Sequence, residues 1–312
     1  MVNSKKSNTL KYLTYFEMKK LIIIFTLLII ALSLVSTLAG VLNYRSLNFE
    51  SFVTPGGEQV ELLTRGIYKY NVKSWVLSGM PWDIVRLTLG IPLLIFSFVS
   101  YLRGSLKAIM VFIGLLFSFF YQSLLWAIGW HFNALFLVYT FTFALSLLTL
   151  FLVVLSFDSN RMEHAISINF PVRTVVIFLF TVAAMLLFKC LGETLPMVSD
   201  GVLKEPFLGY YNLFDQFIDI GIIVPFTIFV SVLLLKRNAY GFLFSTVILI
   251  LLLNIGLSVI IGQYILLVMT NTITGQVRGF AIFSFFMLID VFILVKIFKS
   301  INENPMEHYW IS

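Results

Sequence analysis

The sequence predicts an all-α integral membrane protein, a single membrane domain over residues 1–312 with about eight transmembrane helices and a small extracytoplasmic cap. Apolar residues make up 60% of the chain and charged residues only 12%, whereas soluble chains average about 25% charged residues. The apolar residues form long unbroken runs, which a helix needs to cross a hydrocarbon layer of about 30 Å. Lys and Arg stand at the ends of these runs, where they set the orientation of each span.

The same composition limits the classes of function. Cys190 is the only cysteine, which excludes an internal disulfide and a cysteine-based metal cage. The net charge of +6 is spread over span ends and forms no basic face with aromatic platforms, so we expect no nucleic-acid partner. The sequence contains no phosphate-binding glycine loop, HExxH, GxSxG or CxxC. We therefore expect no cofactor and no metal, and we rank a membrane-embedded enzyme last among the candidate functions.

The first predicted span is the apolar run 21–41. It follows a basic segment that carries Lys5, Lys6, Lys11, Lys19 and Lys20. A cleaved secretory signal is the alternative, because Thr37-Leu38-Ala39 resembles a small-residue cleavage site. A signal core measures about 7–15 residues, however, and this run is longer. We expect an uncleaved first span whose lysines stay in the cytoplasm.

Residues 42–82 form the only sizeable polar region, and we expect them to be an extracytoplasmic cap between spans 1 and 2. Pro55-Gly56-Gly57 indicates a turn, and residues 59–72 contain enough Val, Tyr and Ile for a short β-hairpin. A segment of this length is too short to build a large core of its own. The cap should therefore pack on the spans.

The other spans follow through shorter connections, and the run 241–270 is predicted to be one tilted or kinked helix, too long for an upright span and too short for two. A second extracytoplasmic loop is expected at 192–212, which is rich in Pro and Gly. The predicted spans 2 to 8 cover 81–103, 108–129, 134–156, 174–191, 213–235, 241–270 and 279–295.

The positions of the basic residues predict the membrane topology. With both termini inside, the inner segments hold 13 of the 21 Lys and Arg, and every cytoplasmic segment before the C-terminal tail carries at least two, as the positive-inside rule favours. We expect a multi-pass plasma-membrane protein in contact with the lipid bilayer, with cytoplasmic N- and C-termini. The 13 residues are Lys5, Lys6, Lys11, Lys19, Lys20, Arg103, Lys107, Arg161, Arg173, Lys236, Arg237, Lys296 and Lys299.

Two opposite charges are predicted at equal height in spans 2 and 6. Asp219 lies about 24 Å along its helix from Leu235, and Arg86 lies about 22 Å from Tyr101. A charge at this depth costs up to about 3 kcal/mol unless it is paired or wetted. We therefore predict an Arg86–Asp219 ion pair, either a structural clamp or part of a functional site.

Spans 2 and 6 also share a pattern of residues. Aligning Pro92 with Pro225 places Arg86 over Asp219 and Arg103 over Lys236. Internal repeats with interrupted helices occur in transporters. Two readings of the pattern stay open: an internal repeat, or a chance match of two prolines and a basic end.

Asp290 is the acid predicted to lie furthest from water within a span. It stands about 9 Å before Lys296 along the helix, so we expect it to face protein or a wetted cavity. Two roles remain open for it: a hydrogen bond to a neighbouring helix, for instance to Asn254, or a proton relay.

His131 and Asn133 are predicted at an outer corner, where Asp83, Asp215 and Glu193 could join them. Such a cluster could bind a cation or transfer a proton. One histidine among scattered acids lacks the spacing of a metal site, and helix capping by Asn133 is the alternative.

Several segments carry a family resemblance, in this order: GEQVELLTRGIYKY (57–70), WDIVRLTLGIPLL (82–94), HFNALFLVY (131–139), IDIGIIVP (218–225) and LLLKRNAYG (233–241). On these segments the chain resembles a family of uncharacterised polytopic membrane proteins of bacteria and archaea. The resemblance implies that the cap and the span containing Asp219 and Pro225 belong to one unit. It implies no activity.

The leading functional hypothesis is a transporter-like or permease-like protein that moves a small solute or a proton. Ionisable residues at two depths and two proline-containing spans favour it. Its candidate path contains Asp83, Arg86, His131, Asn133, Asp215, Asp219 and, on the inner side, Asp290. The alternative is a non-catalytic membrane component that binds a partner membrane protein or lipid through the 42–82 cap.

Overall fold

The computed structural model of the chain describes residues 2–44, 47–54, 57, 59–200, 213–270 and 274–303. Within these residues, eight helices are long and apolar enough to cross a membrane, and the predicted all-α multi-pass bundle is confirmed. They are span 1 (Phe16–Asn43), span 2 (Lys73–Leu102), span 3 (Leu106–Gly129), span 4 (Phe136–Leu155), span 5 (Val172–Pro196), span 6 (Phe214–Leu235), span 7 (Ala239–Val268) and span 8 (Val277–Lys299).

The secondary structure is almost entirely helical. Two π-helical turns, Arg86–Gly90 and Asp219–Ile223, interrupt spans 2 and 6. The α-helices are α1 (Val2–Asn43), α2 (Lys73–Val85), α3 (Ile91–Leu102), α4 (Leu106–Gly129), α5 (Phe136–Leu155), α6 (Ser159–Ala165), α7 (Val172–Asp200), α8 (Phe214–Ile218), α9 (Val224–Leu235), α10 (Ala239–Thr270) and α11 (Thr274–Lys299).

Span 3 is the central helix of the bundle. In its most apolar stretch 89% of the residues are buried, against 50% or less in the other seven spans. It packs against spans 2, 4, 6 and 7. The approach of span 7 is close because Gly114 has no side chain: an added Cβ would lie 2.6 Å from Ile250. A central helix buried on every side can separate groups that lie at the same height.

The outer surface of the bundle is apolar. Large side chains such as Phe96, Phe151, Phe188 and Phe229 are more than half exposed. A soluble protein rarely exposes a continuous surface of this kind, and in a membrane these side chains contact lipid.

Spans 2 and 6 contain the same backbone irregularity. Each π-helical turn is five residues long and begins at the position aligned in the sequence, Arg86 or Asp219. Each is followed by a 12-residue helix with proline at its second position, Pro92 or Pro225. Proline lacks an N–H and its ring crowds the carbonyl four residues earlier, and a wider turn before it relieves that conflict. The alignment inferred from the sequence therefore extends to the backbone.

A two-stranded antiparallel hairpin lies between spans 1 and 2. Strand β1 (Phe49–Val53) pairs with β2 (Gln59–Leu63), and Phe49 lies opposite Leu63. The hairpin is confirmed, but its placement within residues 59–72 was wrong. The first strand lies upstream, and β1 is largely exposed, so it has no apolar alternation to reveal it.

The turn of the hairpin is described only in part. Gly57 has a φ of +84° and donates its N–H to the Thr54 carbonyl at 2.8 Å, as in a tight turn. Pro55 and Gly56 lie outside the described residues. The end of the bundle that carries the hairpin is called here the hairpin end, and the other end is called the opposite end.

Two predicted boundaries are corrected. Span 2 is helical from Lys73, so residues 73–82 belong to the helix and only the preceding residues form the cap. Pro81 was taken as the helix start, yet it lies inside α2, where its fixed φ is compatible with a helix. Helix α7 continues to Asp200 through Pro196, so residues 192–200 are helical and not loop. The rest of the predicted second loop, 201–212, lies outside the described residues.

At the opposite end of the bundle, hydrogen bonds join the segments that connect the spans. Ser167 donates its N–H to the Ser300 carbonyl at 2.9 Å, and Asn302 donates to Ala165 at 3.0 Å. The Glu303 carboxylate accepts hydrogen bonds from the Ser105 hydroxyl and the Lys107 N–H. The chain after span 8 thereby ties together the connections that follow spans 2 and 4.

Candidate functional site

Polar side chains within the bundle form two groups on opposite faces of span 3. The first is the Asp83 network, formed by Asp83, Tyr44, Tyr68, Trp126 and Tyr139. The second lines a cavity of about 520 Å³, called here the central cavity, bounded by spans 2, 3, 5, 6, 7 and 8. The first group is closed and satisfied, whereas the second faces open space.

In the Asp83 network a buried carboxylate accepts three hydrogen bonds. Oδ2 of Asp83 accepts from the hydroxyls of Tyr44 at 2.8 Å and Tyr68 at 2.7 Å, and Oδ1 accepts from Nε1 of Trp126 at 3.2 Å. The Tyr68 oxygen is also 3.3 Å from the Tyr139 hydroxyl. Asp83 is 1% exposed. The network joins spans 1 to 4 and the cap around one acid.

The two cap tyrosines of this network act as donors. Burial, followed by the nearby Asp83 carboxylate, raises the pKa of Tyr44 and of Tyr68 well above the ordinary value. Both hydroxyls therefore stay protonated. Gly40 makes the arrangement sterically feasible, because an added Cβ would lie 2.2 Å from the Asp83 carboxylate.

Arg86 lies beside this network and is 2% exposed. Its guanidinium donates from Nη1 to the Ser123 hydroxyl at 3.2 Å and from Nη2 to the Phe119 carbonyl at 3.1 Å. It also lies 4.6 Å from the centre of the Phe119 ring, in a cation–π contact. Asp83 stands three residues earlier on the same helical face, so its opposite charge lies within one turn.

The predicted Arg86–Asp219 ion pair is wrong. Asp219 accepts instead from the Tyr121 hydroxyl, at 2.9 Å, while Arg86 bonds to residues 119 and 123. Successive helical residues are rotated by about 100°, so Tyr121 points about 160° away from Phe119. Span 3 therefore stands between the two charges, and each bonds to a different face of it.

The central cavity has apolar walls and a few ionisable groups. Leu, Ile, Val, Met and aromatic side chains form most of its surface. Its aromatic residues are Trp75, Trp82, Tyr121, Trp126, Phe178, Phe283 and Phe286, and its ionisable side chains, tyrosine apart, are Lys189, Asp215, Asp219 and Asp290. Small-molecule sites typically have this make-up, with a few polar groups in an apolar cleft.

Asp219 stands at an aromatic corner of the cavity. The Trp82 ring lies 6.1 Å from the ring of its partner Tyr121 and 6.0 Å from the Trp126 ring. Trp126 thus lines the cavity with its ring and bonds to Asp83 with its N–H. One side chain belongs to both polar groups.

The basic side chain of the cavity wall, Lys189, lies towards the hairpin end. Nζ of Lys189 is 3.6 Å from an Oε of Glu193 on the next turn of span 5. The Glu193 carboxylate also accepts from the Gln216 amide at 3.0 Å, which links span 5 to span 6. The charge of Lys189 is therefore offset locally.

Asp290 is the deepest ionisable group of the cavity. Along span 8 it lies about 20 Å from Val277 and about 14 Å from Lys299, near the middle of the span. It is 2% exposed, and neither carboxylate oxygen has a hydrogen-bond partner among the described residues. The hydrogen bond predicted with Asn254 does not form, since neither carboxylate oxygen of Asp290 has a partner within the described chain.

His131 and Asn133 lie apart from the cavity. The backbone N–H of His131 donates to the Asn71 side chain at 2.8 Å. Asn133 accepts from the Leu135 N–H at 2.8 Å, in the turn before α5, but the N-cap residue of α5 is Leu135 and has no capping side-chain hydrogen bond. In the ranges that the structure describes, no three His, Cys, Asp or Glu side chains come together as a metal site requires.

The candidate residues thus separate into three places. Asp215, Asp219 and Asp290 line the central cavity. Asp83 and Arg86 are sealed on the other face of span 3, and His131 and Asn133 lie at the corner between spans 3 and 4. Sequence reasoning missed the tyrosines of both groups, because tyrosine in an apolar span has no distinctive spacing. The three-residue spacing of Asp83 and Arg86 was a usable signal for a local charge pair.

Comparisons of the chain with protein-family models, with curated proteins and with solved structures return no match. The family resemblance stays a prediction, and the functional argument depends on the site itself.

Proposed function

We propose that the protein is a permease for a small solute and that the central cavity is part of its path. The observation that supports this most is Asp290, a buried carboxyl group without a hydrogen-bond partner on the wall of a cavity that Asp219 also lines. A polar group left unpaired in a protein interior costs about 1–3 kcal/mol. Stability alone would favour an apolar residue at this position.

The Asp83 network gives a comparison within the same molecule. There the chain surrounds a structural carboxylate with three donors. Asp290 has none in the described chain, although serines, threonines and tyrosines occur throughout the spans. An acid kept in this state within a membrane is by default a candidate for solute or proton handling.

The depths of the carboxylates fit a path. Asp219 lies about 8 Å from the start of span 6 and Asp290 about 20 Å from the start of span 8, both measured from the hairpin end. The positive-inside rule places the hairpin end outside the cell. A solute would then enter past Asp215 and Asp219 and reach Asp290 about 12 Å deeper.

Flux in proteoliposomes tests the proposal. Purified protein is reconstituted with an entrapped pH-sensitive dye, and proton movement and uptake of labelled cationic, neutral and anionic aromatic solutes are measured. We expect flux above that of protein-free liposomes, at least ten-fold reduced in Asp290→Asn and also reduced in Asp219→Asn. Glu50→Gln, on an exposed strand, is the control and should match the wild type. Flux that is equal in all four proteins, or absent for every solute and for protons, contradicts a permease.

One observation favours a second candidate, a partner-binding component. On strand β1 the apolar side chains of Phe52 and Val53 are 43% and 68% exposed, and a two-stranded sheet leaves strand edges unpaired. If the cap binds a membrane protein, a photocrosslinker at position 53 should capture one partner in native membranes, and Phe52→Glu should abolish that product. Absence of any specific product contradicts this role.

A further inference from the structure

Building on the proposed function, we infer that the central cavity takes an amphipathic organic cation. Its positive group would lie against Asp290, and its apolar body would contact the aromatic wall. The inference combines the charge, the wall chemistry and the size of one cavity.

The charge of the cavity favours a cation. Three carboxylic acids line it, Asp215, Asp219 and Asp290, against one cation, Lys189. The ammonium of Lys189 faces Glu193 in the hairpin-end part of the cavity, and Asp290 has no cation as a partner among the described residues. An anion at the depth of Asp290 would meet a carboxyl group, and the one basic side chain on the described cavity wall, Lys189, lies nearer the hairpin end.

The wall favours an organic cation over a metal ion. Hard metal cations need several oxygen ligands around them, whereas the residues beside Asp290 on span 8 that line the cavity are Phe283, Phe286 and Met287. An alkylammonium or phosphonium group needs no such ligand shell and is attracted to aromatic faces. Trp82, Tyr121 and Trp126 provide these faces beside Asp219.

The volume also points to an organic molecule. A cavity of about 520 Å³ falls in the range of about 300–1,000 Å³ that small-molecule sites occupy, and a proton path alone needs only a file of water. Gly256 lines the cavity from span 7, beside Met287 of span 8. A Cβ added there would meet Met287 at 3.7 Å, an ordinary contact, so a large side chain at this position would enter the cavity without a clash at its base.

Two probes of the same shape and opposite charge test the ligand class. Equilibrium binding of labelled tetraphenylphosphonium and of tetraphenylborate is measured with the full-length protein in lipid nanodiscs, with empty nanodiscs subtracted. We expect saturable binding of the phosphonium, weakened at least ten-fold in Asp290→Asn, and no saturable binding of the borate. Saturable borate binding, or phosphonium binding that does not depend on Asp290, overturns the inference.

A matched pair of glycine substitutions locates the site. Gly256→Phe should abolish phosphonium binding by filling the cavity. Gly192→Phe, the same change at a position of span 5 with nothing within 4 Å of an added Cβ, should leave binding unchanged. If both variants fold, as judged by thermal unfolding, and bind equally well, the cavity is not the site and the inference is wrong.

Flux and binding together separate this inference from the proposed function. Flux of a neutral or anionic solute that depends on Asp290, without phosphonium binding, sustains the permease and rejects the cation. Phosphonium binding that depends on Asp290, in a protein that moves neither solute nor protons, sustains the ligand class and rejects the permease.

Discussion

Spans 2 and 6 share one backbone and differ in what surrounds it. In each, a five-residue π-helical turn precedes a proline-containing helix of 12 residues. In span 2 the residue that begins the turn, Arg86, is enclosed by Ser123, Phe119 and the neighbouring Asp83 network. In span 6 the equivalent residue, Asp219, has one hydrogen-bond partner among the described residues, Tyr121, and faces the central cavity.

This difference in surroundings suits the buried charge of Arg86 to a structural role and that of Asp219 to a functional one. The π-helical turn sets the direction in which the side chain at its start points, and π-bulges occur frequently at functional sites. What the charge does there depends on whether the neighbouring helices surround it or leave space. At Arg86, span 2 is packed against span 3, whereas at Asp219, span 6 borders the cavity.

The largest effect on stability is expected from substitutions in the Asp83 network. Asp83→Leu removes the acceptor of three buried donors and leaves the Arg86 charge uncompensated, so we expect a loss of about 3–5 kcal/mol in unfolding free energy. Asp83→Asn, which keeps the shape and one of the two acceptor oxygens, should lose less. Thermal unfolding in detergent measures both. A Leu variant as stable as the wild type would show that the network contributes nothing to the fold.

A smaller effect of opposite sign is expected at Asp290. Asp290→Leu removes an unpartnered buried carboxyl group, and we expect a gain of about 1–3 kcal/mol, equivalent to roughly 2–4 °C in Tm for each kcal/mol. Asp219→Leu is the matched comparison and should lower Tm, because Tyr121 loses its acceptor. A fall in Tm for Asp290→Leu would mean that the carboxyl group has a stabilising partner.

The smallest expected effect is the coupling between the two aligned positions. Because span 3 separates them, Arg86→Leu and Asp219→Leu should destabilise independently, with the double variant additive within about 0.5 kcal/mol. Thermal unfolding of the four proteins of the cycle measures this. A coupling energy above about 1 kcal/mol would indicate a direct Arg86–Asp219 ion pair and would contradict the difference described between spans 2 and 6.

The spans themselves were predictable from the sequence, because the length of an apolar run and the basic residues at its ends can be read directly along the chain. The alignment of Pro92 with Pro225 was also visible in the sequence, whereas the two π-helical turns that share its register were not predicted. The Arg86–Asp219 pair failed because rise along a helix gives height but not the direction in which a side chain points. Span 3 is apolar on all faces, so nothing in its sequence shows which helices it separates.

The depth of Asp290 was underestimated for a related reason. Lys296 was taken as the end of span 8, but the helix continues to Lys299, which places the carboxyl group about 4–5 Å further from the opposite end. The cavity around it could not be predicted, because a cavity is formed by residues from six spans that are distant in the sequence. Its lining residues have no shared spacing.

The indole of Trp126 has a mechanical consequence. Its N–H is bonded to the same carboxylate that receives the hydroxyl of Tyr68 from the cap, while its ring forms part of the cavity wall. A displacement of the cap that pulled Tyr68 away would leave Asp83 short of a donor and loosen the anchor of that ring. We therefore expect a displacement of the cap to reach the cavity wall through these two hydrogen bonds.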